Sequence, residues 1–441
     1  MSKVKKLNSL IFISLVILLT FTSCVSPKKL DQTFSNHPLA VVQGSTDQDE
    51  TYISVLSQSE SGPLEFVYTE VNGEGKKIKV LSYLKKLSPD KKRTIEQVYI
   101  KNLDPLKNYM FSIYDANGTL LDERGFKSLD LNKKNARIGV VSCTDDRISA
   151  ATEMWTSYLN KFVDVNFMIG DNVYADRLDD STAKTADSDQ LWMRYMQTWD
   201  RLYFYHSSSL SPTYYLWDDH DYGQNSGGKD YEHKDASLDV FWTFHPGGEL
   251  KNSYQKTLGA GSVFKAFDQE FIFVDARSFR EKKKGSRWGK KQTDLVLEKI
   301  KKSKAKRIWL IQGDQFFGAY HPFESFEKDH PHDFAKLLKN LKKTGKKILF
   351  VSGDRHLTEI MKIEKEVLGY TSYEITSSGM HAKVYPGSFK KHPNPRGEVG
   401  ASGVFNFTVL GLTSRKSEER KLKVTSYGAK NWIHYSKEIE L

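Results

Sequence analysis

Cysteine is scarce in this chain. Its 441 residues include two, Cys24 and Cys143. That excludes a disulfide-built scaffold and any cysteine-rich zinc or iron–sulfur module. Beyond the N-terminus there is no run of about 18 apolar residues, the length a membrane-crossing helix needs. Internal repeats and long low-complexity tracts are missing too. The composition is not that of a disordered chain, because hydrophobic residues make up 39% and aromatics 12%. Nor is there an acidic excess: Lys+Arg outnumber Asp+Glu by 66 to 55, a net charge of +11. A basic balance points toward nucleic acid or anionic membrane as a partner. The lysine runs at 282–284, 299–307 and 339–347, however, have no interleaved aromatics to stack on bases. They lie on or beside helical patterns with apolar faces, where lysine solvates the outer side. No nucleic-acid partner is therefore expected. At roughly 150 residues per domain, the length predicts two or three domains.

At the N-terminus, Lys3, Lys5 and Lys6 precede an apolar stretch at 10–19, broken by Ser14 and followed by Phe21-Thr22-Ser23-Cys24. This is the layout of a secretory signal. A small residue directly before a cysteine resembles a bacterial lipobox, with Phe21 in place of the usual leucine. Residues 1–23 are expected to be a lipoprotein signal peptide, Cys24 the lipidated residue and 24–36 a tether. The mature protein would then be an extracytoplasmic, membrane-anchored bacterial lipoprotein on the periplasmic or cell-surface side. Losing the three lysines takes the side-chain balance from +11 to +8.

Residues 37–130 carry short β-like patterns, at 51–56, 64–68, 78–80, 96–100 and 109–114, separated by turn pairs such as Asn72-Gly73 and Asn117-Gly118. These predict a small β-sandwich. From 131 to 441 the texture changes. Apolar strands alternate with helical spacings, as in Ile148, Ala151, Trp155, Tyr158, Leu159 and Phe162, or Phe334, Leu337, Leu338 and Leu341. Such alternation predicts an α/β domain.

Chemistry gathers where apolar strands end. Strand 138–142 leads into Cys143-Thr144-Asp145-Asp146, and strand 165–169 into Gly170-Asp171-Asn172-Val173-Tyr174. Strand 214–217 leads into Asp218-Asp219-His220-Asp221, strand 308–311 into Gln312-Gly313-Asp314-Gln315, and strand 348–352 into Gly353-Asp354-Arg355-His356. Ligand sites of open α/β sheets lie beyond the carboxyl ends of the strands. Carboxylates converging there repel one another unless cations neutralise them, which argues for more than one bound metal ion.

In order and spacing these motifs resemble the metallophosphoesterases, and more closely the alkaline phosphatase D branch, the PhoD-like phosphatases. Ser142-Cys143, Asp275-Ala276-Arg277-Ser278-Phe279-Arg280 and the segment 309–316 are similar to further motifs of that branch. The resemblance covers about 37–440. It implies a four-layer αββα sandwich preceded by an immunoglobulin- or fibronectin-like module. Asp171 becomes a bridging carboxylate, with Cys143, Tyr174 and His356 at a ferric position and Asp219 and Asp354 at a calcium position, though other divalent metals are possible. His220 falls near the leaving-group oxygen, and Arg277 is implied as a phosphate clamp. The implied activity is hydrolysis of small-molecule or lipid phosphate esters by a metal-bound hydroxide. The alternatives are a phosphodiesterase or phospholipase D-like hydrolase, and a catalytically degenerate surface-binding protein. The roles of Gln315 and His381 stay open. Asp145 and Asp146 either bind additional calcium or cap the helix expected near Ile148. Oligomeric state is not legible.

Overall fold

The computed structural model describes residues 37–177, 185–251, 253–282, 285–414 and 420–440. The expected signal peptide, Cys24 and the tether lie outside them.

Eight strands before residue 128 form two four-stranded antiparallel sheets. One runs in the order Ala40–Thr46, Thr51–Gln58, Arg93–Ile100, Ser82–Leu87, and the other Ile78–Val80, Glu65–Glu70, Asn108–Tyr114, Leu120–Lys127. Val41, Ile53, Val55 and Val98 of the first sheet meet Phe66, Phe111, Ile113 and Phe126 of the second in one core. The sheets therefore pack face to face. The first sheet is buried on its other face as well. Ala40, Val42, Tyr52, Leu56 and Ile95 point away from the sandwich and into the core of the remaining chain. Strand Ala40–Thr46 is accordingly buried throughout, whereas the edge strand Ser82–Leu87 alternates between faces.

The rest of the chain builds two larger sheets. The six-stranded sheet is ordered Thr213–Leu216, Val165–Ile169, Ala136–Val141, Phe407–Ser414, Arg420–Tyr427, Ile433–Glu440. Its first three strands pair in parallel, and the C-terminal three return antiparallel. The eight-stranded sheet is ordered Tyr254–Lys256, Ser262–Ala266, Gln269–Phe273, Arg307–Ile311, Ile348–Ser352, Ser372–Ser377, Leu357–Ile363, Gly397–Ser402. Its centre is parallel.

Alternation along the central strands sorts their side chains into two cores. Phe271, Phe273, Trp309, Ile311, Leu349 and Val351 share a core with the six-stranded sheet. Ile272, Ile308, Leu310, Ile348 and Phe350 pack instead with Val296, Ile300, Phe334, Leu337 and Leu341 of helices Gly289–Lys302 and Pro331–Thr344. Helix Ala151–Leu159 packs on the six-stranded sheet, where the Tyr158 ring meets Phe407 edge-on. Gly139 makes room for it, since a Cβ there would lie 2.1 Å from the Tyr158 hydroxyl. The architecture is mixed α/β with helices outside paired sheets. The helix expected near Ile148 begins at Ala151 and ends at Leu159. Phe162, which continued the helical spacing, lies beyond that end in left-handed backbone and is 48% exposed. Lys290, Lys291, Lys336, Lys339 and Lys342 lie exposed on the outer helices.

Candidate metal centre

The loops after the parallel strands are sewn together by their own backbones. Cys143 N donates to Gly170 O at 3.1 Å, Thr144 N to Asp171 O at 2.8 Å, and Gly353 N to Gly313 O at 2.7 Å. Four side chains of these loops sit on left-handed backbone: Cys143 (φ 58°), Asp171 (52°), Asp354 (63°) and His356 (49°). Each such non-glycine residue costs of order 1–3 kcal/mol, a strain that clusters at functional sites.

Asp171 is the hub. Its carboxylate lies within 4.8 Å of ligand atoms in three groups: Cys143 with His356, Asp219 with His220, and Asp218 with Asp354. Cys143 Sγ is 3.4 Å from Asp171 Oδ2, and Tyr174 OH is 3.4 Å from His356 Nε2. Six of the eight residues named from sequence thus meet in those groups, and Tyr174 stands beside them. His356 Nδ1 hydrogen-bonds the carbonyl of Lys383. A carbonyl only accepts, so Nδ1 carries the proton and Nε2 presents its lone pair to the centre. His220 Nδ1 is 2.7 Å from Asp176 Oδ1, and its ring stacks on Tyr174 at 4.2 Å.

The electrostatics follow from burial and crowding. Burial, reinforced by Asp171, holds the Cys143 thiol well above its ordinary pKa. Burial raises the Asp171 carboxyl too, against His220 and with Asp219 and Asp218 adding to it. Asp354 is pushed up to about 7 by burial, which outweighs Arg355. Burial raises Asp218 against the pull of Arg277. His356 falls to about 4, again through burial. His220 goes the other way: burial alone would discharge it, but Asp219, Asp171 and Asp176 push it up to about 10. Burial opposes ionisation of Asp219 as well, yet His220 and Arg277 hold its carboxyl below the usual range.

Asp218 Oδ2 and Asp219 Oδ1 are buried with no hydrogen-bond partner. A thiol, three carboxyls with raised pKa, a phenol and a neutral imidazole converge on one point. Cations would release the tightly held protons and satisfy the orphaned oxygens. This donor set fits metal ions. Sulfur, nitrogen and phenol suit a transition metal, and the carboxylates suit a hard one.

Arg277 is not in the cleft. It is fully buried, with Nε on Asp218 Oδ1 at 2.5 Å, Nη1 on Glu324 Oε2 at 3.0 Å and Nη2 left without a hydrogen-bond partner, so it does not stand in the cleft wall where a phosphate clamp was expected. Gln315 is buried between Glu359, Thr376 and His321. His381 has both nitrogens engaged, accepting from Trp155 Nε1 at 2.9 Å and meeting Asp145 O at 3.0 Å. Asp145 pairs with Arg147, and Asp146 with Arg194 and Arg201. Among the described residues, neither aspartate joins a ligand group. Sequence reasoning missed three participants. Asp218 stood in a quoted motif without a role. Asp176, two residues past Tyr174, orients His220. Arg355 lies between two expected ligands. The centre opens into a cleft of about 1100 Å³ whose walls include Arg177, Arg280, Phe323, Arg355, Tyr385 and His392.

No family model and no curated protein matches the sequence. Among solved structures, that of PhoD is similar over 91% of this chain and 91% of its own, with a TM-score of 0.67 at 14% identity. The chain therefore shares the fold of PhoD. The sensor domain of the anti-sigma factor RsgI4 of Pseudobacteroides cellulosolvens aligns with 22% of this chain and 98% of its own, with a TM-score of 0.17 at 21% identity. A cyclomaltodextrinase aligns with 72% of this chain and 60% of its own, with a TM-score of 0.18 at 10% identity. Neither of the last two carries an argument.

Proposed function

We propose that this chain is a metal-dependent phosphoesterase of the PhoD type that hydrolyses phosphate esters. The observation that carries the reading is Asp171, a buried carboxylate common to three potential ligand groups beneath a large cleft, on a fold shared with PhoD. Cys143, Tyr174, His356 and Asp171 would hold a ferric-type ion. Asp171, Asp219 and Asp354 would hold a second, calcium-like ion, with Asp218 beside them. When bound, the metals supply Lewis acidity, lowering the pKa of water and drawing charge from phosphoryl oxygens.

The chain's own groups do the rest. His356 is fixed in the tautomer a ligand needs. His220 lines the cleft with its Nδ1 tied to Asp176 and its Nε2 3.3 Å from Arg177 Nη2, so it would serve the departing alcohol oxygen as a proton donor once that nitrogen exchanges Arg177 for substrate. No side-chain nucleophile is required, so the burial of Cys143 is no obstacle. We assign the N-terminal sandwich to the immunoglobulin- or fibronectin-like module of the same family. We place the mature protein outside the cytoplasm, anchored through Cys24.

The decisive experiment is metal analysis of chelator-free protein together with hydrolysis of a chromogenic phosphate ester. We expect iron and calcium in the wild type. Asp171→Asn should lose bound metal and at least about 10³-fold in kcat, with an unchanged circular-dichroism spectrum. Full activity in that variant sinks the site, and a wild type without metal favours a binding protein. The cleft is large enough for a substituent on each side of phosphorus, so a diester belongs beside the monoester in the assay. Membrane partitioning that persists in Cys24→Ala would refute the anchor.

A further inference from the structure

Several cations at the cleft have engaged their donors: Arg177 sets its Nη2 3.3 Å from His220 Nε2. Arg280 is held by Glu324 and by the carbonyls of Ser226 and Gly227. Lys328 gives its ammonium to the carbonyls of Pro322 and Phe323. Arg277 lies below the wall, neutralising Asp218 and Glu324. Arg355 differs. It is 8% exposed, yet it lines the cleft. Its Nε is buried with no hydrogen-bond partner, and among the described residues no carboxylate is paired with it. Its guanidinium carbon lies 4.2 Å from the centroid of the Phe323 ring. Stacking occupies the face of a guanidinium and leaves its in-plane N–H fork free.

The backbone fixes where that fork stands. Arg355 N donates to Gly353 O at 2.8 Å, and left-handed Asp354 and His356 flank it. The turn sends the two expected ligands into the centre and keeps the arginine beside them at the cleft wall. Phe323 is 48% exposed; a large ring left open there has a purpose if it is the platform that holds the guanidinium flat.

We propose that Arg355, held against Phe323, is the group that clamps a phosphoryl oxygen of the substrate; this rests on the phosphoesterase reading above. A buried Nε–H without an acceptor is costly, and two oxygens of a phosphoryl group match the fork of a guanidinium. Arg355 is then a catalytic residue that touches substrate, and Phe323 is a positioning residue that acts through it.

Inorganic phosphate, used as a competitive inhibitor of ester hydrolysis, is the probe. Arg355→Met should weaken phosphate inhibition and lower kcat/KM, each by about 10²-fold. Arg355→Lys should fall between it and the wild type, since an ammonium keeps the charge but loses the fork. Phe323→Leu should raise KM more than it lowers kcat. Metal content should match the wild type throughout. Phosphate inhibition and kcat/KM within about twofold of the wild type in metal-loaded Arg355→Met overturn the clamp. Should that variant shed metal, unchanged phosphate inhibition in both Arg355→Lys and Phe323→Leu overturns it equally. A wild type that binds no metal and hydrolyses no ester overturns the underlying reading instead, an outcome distinct from an active enzyme indifferent to Arg355.

Discussion

Histidines in this protein divide by what surrounds each ring. His356 spends one nitrogen on a carbonyl and keeps the other for the centre. His220 is surrounded by carboxylates, which push its pKa up to about 10. His381 has partners at both nitrogens and serves as a strut between Trp155 and the Asp145 carbonyl. His245 carried no motif in the sequence, and it is buried with neither nitrogen hydrogen-bonded. It stacks on Tyr215 at 3.8 Å and is ringed by Tyr195, Trp199 and Phe241. Burial alone lowers its pKa from 6.5 to about 3. The sign follows from linkage. Above the unfolded pKa both states hold the ring neutral, and its full contribution to stability is present. As pH falls from 6.5 toward 3 the unfolded chain binds a proton that the folded chain refuses, so stability drops by about 1.4 kcal/mol per pH unit. His245→Phe keeps a ring in the aromatic cage and removes the proton. The loss of unfolding free energy between pH 7 and pH 5, measured by urea titration, should be smaller in the variant by about 2 kcal/mol. Equal losses in the two proteins would refute this account.

The loops after the strands show what was legible in the sequence and what was not. Strand ends could be read because a short apolar run and a Gly-Asp or Asp-Asp step mark them locally. The ends at Cys143, Asp171, Asp219 and Asp354 with His356 do meet around one centre. The end at Gln312-Gly313-Asp314-Gln315 does not deliver a ligand, because Asp314 is neutralised by Arg287 and Gln315 is taken up by Glu359 and Thr376. Nothing local announces that partner, which stands 27 residues away from Asp314 in sequence. Arg277 and Arg355 repeat the lesson. Both follow an aspartate motif at a strand end, and only the packed structure tells which guanidinium already has its carboxylates. Gly313 has its own reason: a Cβ there would lie 2.4 Å from the Asp218 carboxyl carbon, so glycine is what lets Asp218 fit beneath the cleft. Strand Ala40–Thr46 was missed because burial on both faces erases the alternation that marks a half-buried strand.

At the scale of the molecule, the sandwich and the α/β layers are joined as one body. Arg124 is buried, paired with Asp122, and donates across the junction to the carbonyls of Tyr205 at 3.2 Å and Ser207 at 2.6 Å. Gln97 Nε2 reaches Trp242 O and Thr243 O at 3.0 and 2.7 Å, and Ser45 N reaches Pro246 O at 3.2 Å. Apolar contact continues where these bonds stop, since Tyr52 and Leu56 belong to the same core as Trp217 and Phe241. An interface this apolar and this hydrogen-bonded couples the stabilities of its two sides. The eight tryptophans permit a clean test, because all of them, from Trp155 to Trp432, lie outside the sandwich. Ile53 is fully buried in the sandwich's own core, and Ile53→Ala should cost about 2–5 kcal/mol there. If the molecule unfolds as a unit, the tryptophan-fluorescence midpoint in urea falls together with the far-ultraviolet circular-dichroism midpoint, although no tryptophan is near the mutation. If fluorescence keeps its wild-type midpoint while circular dichroism splits into two transitions, the sandwich is an independent module and the coupling across Arg124 is too weak to matter.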